Sequence, residues 1–286
     1  MSGDGQDREL HRRFARCAQL VGDADGVLIT AGAGLGVDSG LPDFRGSEGM
    51  WRAYPALGRV RMHFDEIANP AAFAAHPRLA WGFYGHRLKM YRETKPGPAF
   101  ATLRDIAARL PRGAFVFTSN VDGHFQAAGF DAERVCECHG SIHHLQCLDP
   151  CAPGIWPADD FAPDVDDEAC ELRGELPVCP CCRSLARPNI LMFGDWGWIE
   201  DRTLAQQARL ERWRRGVERL LVVEIGAGTA IPTVRRFGEE QDAPLIRINT
   251  TEAKTSGDRG VSLPIAGGEA LRGIAAALAE AGFFGA

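Results

Sequence analysis

No apolar stretch in these 286 residues approaches the roughly 18 that a membrane span requires. The opening stretch, MSGDGQDRELHRR, lacks the apolar core of a secretory signal. Basic residues are not in surplus either. The chain has 32 Lys and Arg against 38 Asp and Glu, and a formal charge of -6 argues against nucleic-acid binding as its main business. A cytoplasmic protein with neither a membrane nor a nucleic-acid partner is therefore expected. There is no internal repeat and no low-complexity tail, so a chain of this length has one large core, or one core with a small satellite. Cysteine is scarce outside one region: only Cys17 stands apart, and the other eight lie between Cys136 and Cys182. In a reducing compartment such crowding calls for metal or redox chemistry, not a disulfide framework.

The periodicity of the rest is that of an α/β protein. Helical spacing is read over Asp7–Val21, Pro77–Tyr91, Ala99–Leu110, Asp201–Arg215, from Pro232 onward, and over Gly268–Ala281. Apolar, β-branched runs read as strands at Val27–Ile29, Ala114–Ser119, Arg134–Glu137, Asn189–Phe193, Leu220–Ile225 and Pro244–Asn249. Their alternation predicts a parallel, doubly wound sheet. Residues 47–70 have no clean period and read as a loop running into short helices. The stretch Cys147–Cys182 departs from the rhythm. Its middle is acidic and reads as a polar loop, an insertion clamped at its base by cysteines.

Cys147 and Cys151 form one closely spaced thiol pair and Cys179 and Cys182 another. Two such pairs satisfy a tetrahedral Zn²⁺ and leave no open coordination position, which marks a structural site. Cys170 and Cys181 are rival ligands. Cys136 and Cys138 flank His139 instead.

The chemistry-bearing residues fall where strands end. After the first strand comes Thr30–Gly46, TAGAGLGVDSGLPDFRG, whose Gly32, Gly34 and Gly36 let a pyrophosphate approach the backbone closely. Asn120-Val121-Asp122 ends the second strand and Cys138-His139-Gly140-Ser141 the third. Ligands of open α/β sheets bind at that edge. Further on stand Met192-Phe193-Gly194-Asp195, Ile225-Gly226-Ala227-Gly228-Thr229 and Ile248-Asn249.

These motifs, in this order from about Val27 to the final helix, resemble those of the sirtuins, the NAD-dependent protein deacylases. The resemblance implies a Rossmann-like domain of residues 1–50, 97–140 and 186–286 that binds NAD. It also implies a smaller domain of residues 51–96 and 141–185, made of a helical insertion and a zinc module. It makes His139 the general base and gives Asn120 a catalytic role at the nicotinamide ribose. Asp122 would hold the nicotinamide carboxamide. Gly32, Ala33, Gly34, Asp43, Phe44 and Arg45 would line the cofactor, joined by Gly226, Gly228, Thr229 and Asn249. Phe193 and Gly194 would border the channel for an acylated-lysine protein. Cys147, Cys151, Cys179 and Cys182 would hold the zinc. One departure is Ser119, which stands where the family usually has Gln, and another is Gly36 in place of a frequent Ser.

Tyr84 and Arg87 lie three apart in a predicted helix and so share a face. They resemble the Tyr-x-x-Arg of sirtuins that remove succinyl or malonyl groups, where the pair binds the acyl carboxylate. Acetyl and acidic acyl groups both remain open. Two rival readings use the same cofactor site: ADP-ribosyl transfer or NAD hydrolysis, and a non-catalytic NAD- or ADP-ribose-binding module. A hydride-transferring dehydrogenase is disfavoured, because no acidic ribose ligand stands about 20 residues beyond the first turn.

Overall fold

The computed structural model describes residues 3–42, 46–151, 154–255 and 259–285. Helix α1 (Gly3–Asp23) buries Cys17, Leu20 and Val21 and leads into strand β1 (Gly26–Ala31), which is buried throughout. A single-turn helix, α2 (Gly34–Val37), follows the glycine turn. Next come α3 (Gly46–Ala53), α4 (Pro55–Arg59), α5 (Phe64–Ile67), α6 (Pro70–Ala75), α7 (Pro77–Glu93) and α8 (Pro98–Ala107). Pro55, Pro70, Pro77 and Pro98 each open a helix, where their fixed φ is suitable and the missing N–H has no intrahelical partner to lose. Asn69 caps α6 by accepting from the Ala71 N–H at 2.9 Å.

Strand β2 (Ala114–Thr118), helix α9 (His124–Ala127), a 3₁₀ turn (Ala132–Arg134) and β3 (Val135–Glu137) bring the chain to His139. Strand β4 (Gly140–Cys147) then departs in a new direction. It is followed by β5 (Ile155–Pro157), β6 (Val165–Asp166), β7 (Glu171–Leu172) and β8 (Ala186–Ile190). The remainder is α10 (Asp201–Arg215), β9 (Leu220–Ile225), α11 (Thr233–Glu239), β10 (Leu245–Ile248), β11 (Gly260–Leu263) and α12 (Gly267–Glu280).

The main sheet runs β11-β10-β9-β1-β2-β3 with every pairing parallel. In chain order its six strands therefore take the order 6-5-4-1-2-3, and the direction of winding reverses between β1 and β9. Side chains alternate across it, as a sheet covered on both faces demands. Val27 and Ile29 of β1 join Val116, Val223 and Ile246 under α1, α8 and α12. Leu28 joins Phe115, Val222 and Leu245 under α10 and α11, where Leu210 and Val234 meet them. Phe117 stacks on Phe237 with centroids 3.8 Å apart.

The structure differs from the sequence reading in three places. The strand expected at Asn189–Phe193 lies at Ala186–Ile190 and pairs antiparallel with β4, so it belongs to a separate β5-β4-β8 sheet rather than the parallel one. Its residues include Arg187 and Asn189, both fully buried; Arg187 donates to Asp195 at 2.7 Å and Asn189 to Gln146 of β4 at 2.9 Å. Strands β4 and β11 were not anticipated; both carry polar residues that mask their alternation. Finally, the acidic insertion is more than a polar loop. Its middle folds into the β6–β7 hairpin, which buries Cys170 and Leu172 against α7. Gly82 makes this approach possible, since a Cβ there would lie 2.0 Å from the Cys170 carbonyl oxygen.

Candidate active site

All strands of the main sheet are parallel, so their carboxyl ends share one edge, and most of the predicted cofactor residues gather there. Gly32 follows β1, Asn120 follows β2, His139 follows β3, Gly226 follows β9 and Asn249 follows β10. The two glycine turns interlock across the point where the winding reverses. The Gly32 N–H donates to the Ile225 carbonyl and the Gly34 N–H to the Gly226 carbonyl, both at 3.0 Å. A Cβ on Gly32 would sit 2.7 Å from the Gly226 oxygen. Gly226 itself has φ +64, and a Cβ there would lie 2.5 Å from the Gly34 carbonyl carbon. Only glycine permits this double approach.

Next to the turns opens a cleft lined by Gly34, Asp38, Gly226, Asn249, Ala266 and Gly267, among others. Asp38 closes one side by accepting from the Gly268 N–H at 2.6 Å, a carboxylate set at the N-terminus of α12. Ala33 lies in the first turn. Asp43, Phe44 and Arg45 lie outside the described residues.

The two catalytic candidates are held by backbone. Asn120 Nδ2 donates to the Gly32 carbonyl at 3.1 Å, which ties the end of β2 to the first glycine turn. The Cys138 N–H donates to the Thr118 carbonyl at 2.8 Å and the Leu191 N–H to the His139 carbonyl at 2.9 Å, so His139 is fixed from both sides. Gly140, at φ +78, turns the chain away beneath it; a Cβ there would meet the Asn189 oxygen at 2.0 Å. Burial alone lowers the His139 pKa, which keeps the imidazole neutral and able to accept a proton near pH 7. Asp122, 8% exposed, accepts from the His124 N–H at 2.9 Å. Desolvation pushes its pKa up, with the nearby His124 opposing.

Two predicted cofactor residues already have protein partners. Thr229 donates through both its N–H and its hydroxyl to the Glu252 carboxylate, against which Gly228 also lies. Asn249 donates to the Ala227 carbonyl at 2.9 Å and accepts from the Thr251 and Glu252 N–H groups, so its side chain organises the turn after β10. Glu252 and Asp38 were not singled out in the sequence. No local motif points to them, because their partners lie 23 and 230 residues away.

Tyr84 and Arg87 do share a face of α7, and both are buried. Arg87 Nε and Nη2 donate to the Tyr91 hydroxyl at 3.0 and 2.7 Å. The guanidinium lies over the rings of Phe83, Tyr84 and Tyr91 at 5.3, 5.7 and 5.4 Å. Burial pushes the Tyr84 phenol up to about 12, against the pull of Arg87. Tyr91 went unnoticed in the sequence, although its spacing of four from Arg87 was the available signal. Phe193, at the rim, packs edge-on against Phe64 with centroids 5.9 Å apart, and Gly194 follows at φ +63.

Cys147, Cys151, Cys179 and Cys182 come together with all four sulfurs within 4.8 Å of one another. The Cys147–Cys182 and Cys151–Cys179 separations of 3.6 and 3.7 Å match the edge of a tetrahedron of sulfurs about 2.3 Å from a zinc ion. Hydrogen bonds from Ser184 lower Cys182 to about 6, while crowding by the other thiols drives Cys151 up. A divalent cation would relieve that crowding, so the residues fit Zn²⁺. Cys170 is buried under α7, away from this cluster.

The family model described as the Sir2 family matches residues 32–211. An NAD-dependent protein deacylase of Pyrococcus furiosus is 34% identical over 178 residues, covering 62% of this chain and 64% of that protein. NAD-dependent protein deacylase 1 of Pseudomonas aeruginosa is 30% identical over 257 residues, covering 88% of this chain and 94% of that one. Among solved structures, a Sir2 homologue in complex with ADP-ribose superposes with a TM-score of 0.70 at 23% identity, over 93% of this chain and 96% of its own. A Sir2 enzyme structure does so with a TM-score of 0.67 at 25% identity, over 94% and 99%. The matched stretch takes in the interlocked turn at Gly32, the strand ends at Asn120 and His139 and the four-cysteine cluster, and on that ground the chain belongs to the Sir2 family.

Proposed function

We propose that this protein is an NAD-dependent protein lysine deacylase. The observation that carries the reading is the edge of the parallel sheet. There, two interlocked glycine turns offer a pyrophosphate cradle, and a half-buried His139, its pKa lowered by desolvation, is fixed by backbone at the next strand but one. NAD would supply an anomeric carbon that takes up the acyl oxygen as nicotinamide departs. Asn120 would orient the ribose from its anchor on Gly32. Asp122, whose pKa desolvation raises, would hold the carboxamide. His139 would then take the proton of a ribose hydroxyl as that oxygen closes on the acyl carbon; the bond from that carbon to the lysine nitrogen would break, the amine leaving with a proton, and a water molecule would complete O-acyl-ADP-ribose. Cys147, Cys151, Cys179 and Cys182 would hold zinc with no part in the chemistry, a role that fits thiols kept reduced in the cytoplasm.

The smaller part would comprise residues 51–96 and 141–185, with β8 counted alongside its partner β4. Substrate would enter between that part and the parallel sheet, past Phe193 and Gly194. Arg87, buried among aromatic rings with Tyr84 and Tyr91 beside it, favours an acyl chain that ends in a carboxylate over a simple acetyl group.

Mass spectrometry of the protein with NAD and peptides bearing acetyl-, succinyl- or unmodified lysine tests the reading. O-acyl-ADP-ribose should appear with loss of the acyl mark, and His139→Ala should bind NAD but form none. ADP-ribose on protein with acyl-lysine intact would establish ADP-ribosyl transfer instead. Cofactor binding without nicotinamide release would leave a binding module.

A further inference from the structure

Three of the large apolar side chains exposed among the described residues fall within one short stretch. Leu191, Phe193 and Trp196 are 38%, 40% and 99% exposed. The stretch begins at the base, where the Leu191 N–H donates to the His139 carbonyl. It then crosses to the helical insertion, where the Phe193 N–H donates to the Ala68 carbonyl at 2.9 Å.

The loop is firmly held. Asp195 is buried, pairs with Arg187 at 2.7 Å and accepts from the Met192 and Gly197 N–H groups at 3.2 Å each. Gln146, also buried, donates to the Gly197 carbonyl at 2.7 Å and accepts from the Ile199 N–H at 3.1 Å. Backbone on both sides of Trp196 is thus pinned by buried polar bonds while the indole stands in solvent. Fixing a bare indole contributes nothing to folding. It does remove in advance the ordering cost that an aromatic anchor meets on binding.

The surroundings select the ligand's charge. From Leu191 to Asp201 there is no lysine or arginine, and Glu200 and Asp201 are exposed. Gly197 abuts Leu148 and Pro150, which flank the exposed Asp149. An exposed indole with exposed carboxylates close by in the chain, and with Arg202 already engaged by Glu137, suits a cation. Building on the deacylase reading above, we propose that Trp196 docks a lysine or arginine side chain of the substrate protein, a few residues from the acyl-lysine.

The test walks one arginine through the positions on each side of an acyl-lysine peptide and compares wild type with Trp196→Ala. The variant removes a fully exposed side chain and should keep its fold. The KM should rise roughly fivefold to tenfold for arginine at one or two adjacent positions, with kcat unchanged and Trp196→Phe partly restoring it. Turnover of an acyl-lysine amide with no flanking residues should be untouched. Equal KM values in the two proteins for every peptide would overturn the proposal, as would an equal loss on the minimal substrate. Fluorescence anisotropy with labelled peptides reads binding independently of turnover. If the wild type turns over nothing yet binds the arginine peptides more tightly than Trp196→Ala, the docking role stands and the deacylase reading falls. Binding indifferent to Trp196 would remove the docking role.

Discussion

At the edge of the parallel sheet, functional groups are placed by main chain. Gly32 and Gly226 touch through atoms every residue possesses, Asn120 hangs from a carbonyl, and His139 is bonded fore and aft by its neighbours' amides. In the smaller half, groups are placed by other side chains. Arg87 rests on three aromatic rings and a phenol, and four thiols converge from two hairpins. Backbone placement is precise but intolerant, since no rotamer change relieves a clash between main chains. Side-chain placement can be adjusted one group at a time. The first arrangement suits chemistry common to every substrate, and the second suits whatever distinguishes one substrate from another.

The comparison breaks most visibly at the cysteines. Cys179→Ser, or removal of metal by a chelator, should release zinc and unfold the β5-β4-β8 sheet, abolishing deacylation. Hydrogen exchange should show β1 and β9 still protected. Loss of protection there as well would show that the two halves fold as one unit. Gly226→Ala comes next. Its Cβ would strike the Gly34 backbone at a residue already at positive φ, costing roughly 1–3 kcal/mol of strain and displacing the cradle. NAD binding by calorimetry should be lost while the cysteine cluster keeps its metal. Arg87→Met should be milder and selective. Turnover of succinyl-lysine should fall about 10- to 100-fold, the worth of charge-assisted hydrogen bonds, with acetyl-lysine unaffected. Equal loss of both would mean that Arg87 serves only the packing of α7. The smallest effect concerns pH. In the proposed reaction His139 would work as the neutral imidazole, and desolvation lowers its pKa, so the acid limb of kcat/KM should lie below the ordinary histidine value of 6.5. A limb above that value would assign the titration to another group.

The parallel sheet was legible because its strands are apolar on both faces and its turns carry glycines that few other structures require. The places of His139 and Asn120 just beyond strand ends were legible for a related reason, while the roles expected of them rested on the family resemblance. The paired cysteines announced themselves by spacing. The β6–β7 hairpin stayed hidden because its burial depends on side chains that are absent. Gly82 and Gly85 of α7 look like weak points in a helix until Cys170 and Pro163 are seen lying against them. Strand β4 stayed hidden because Ser141, His143, His144 and Gln146 interrupt the apolar pattern by which a strand is read. Glu252 and Asp38 belong to the same class, since what they hold is determined only once distant strands align.

Strand β4 starts beside His139 and ends at Cys147. At about 3.4 Å per residue, less the irregularity between Ser141 and Leu145, its length sets the cysteine cluster roughly 20 Å from His139. An ion there is too far away to polarise any reacting bond, yet it is anchored to the same continuous ribbon of backbone. A cobalt ion placed among these cysteines would therefore work as a remote gauge, its absorption following the posture of the strand while the chemistry at the other end runs undisturbed.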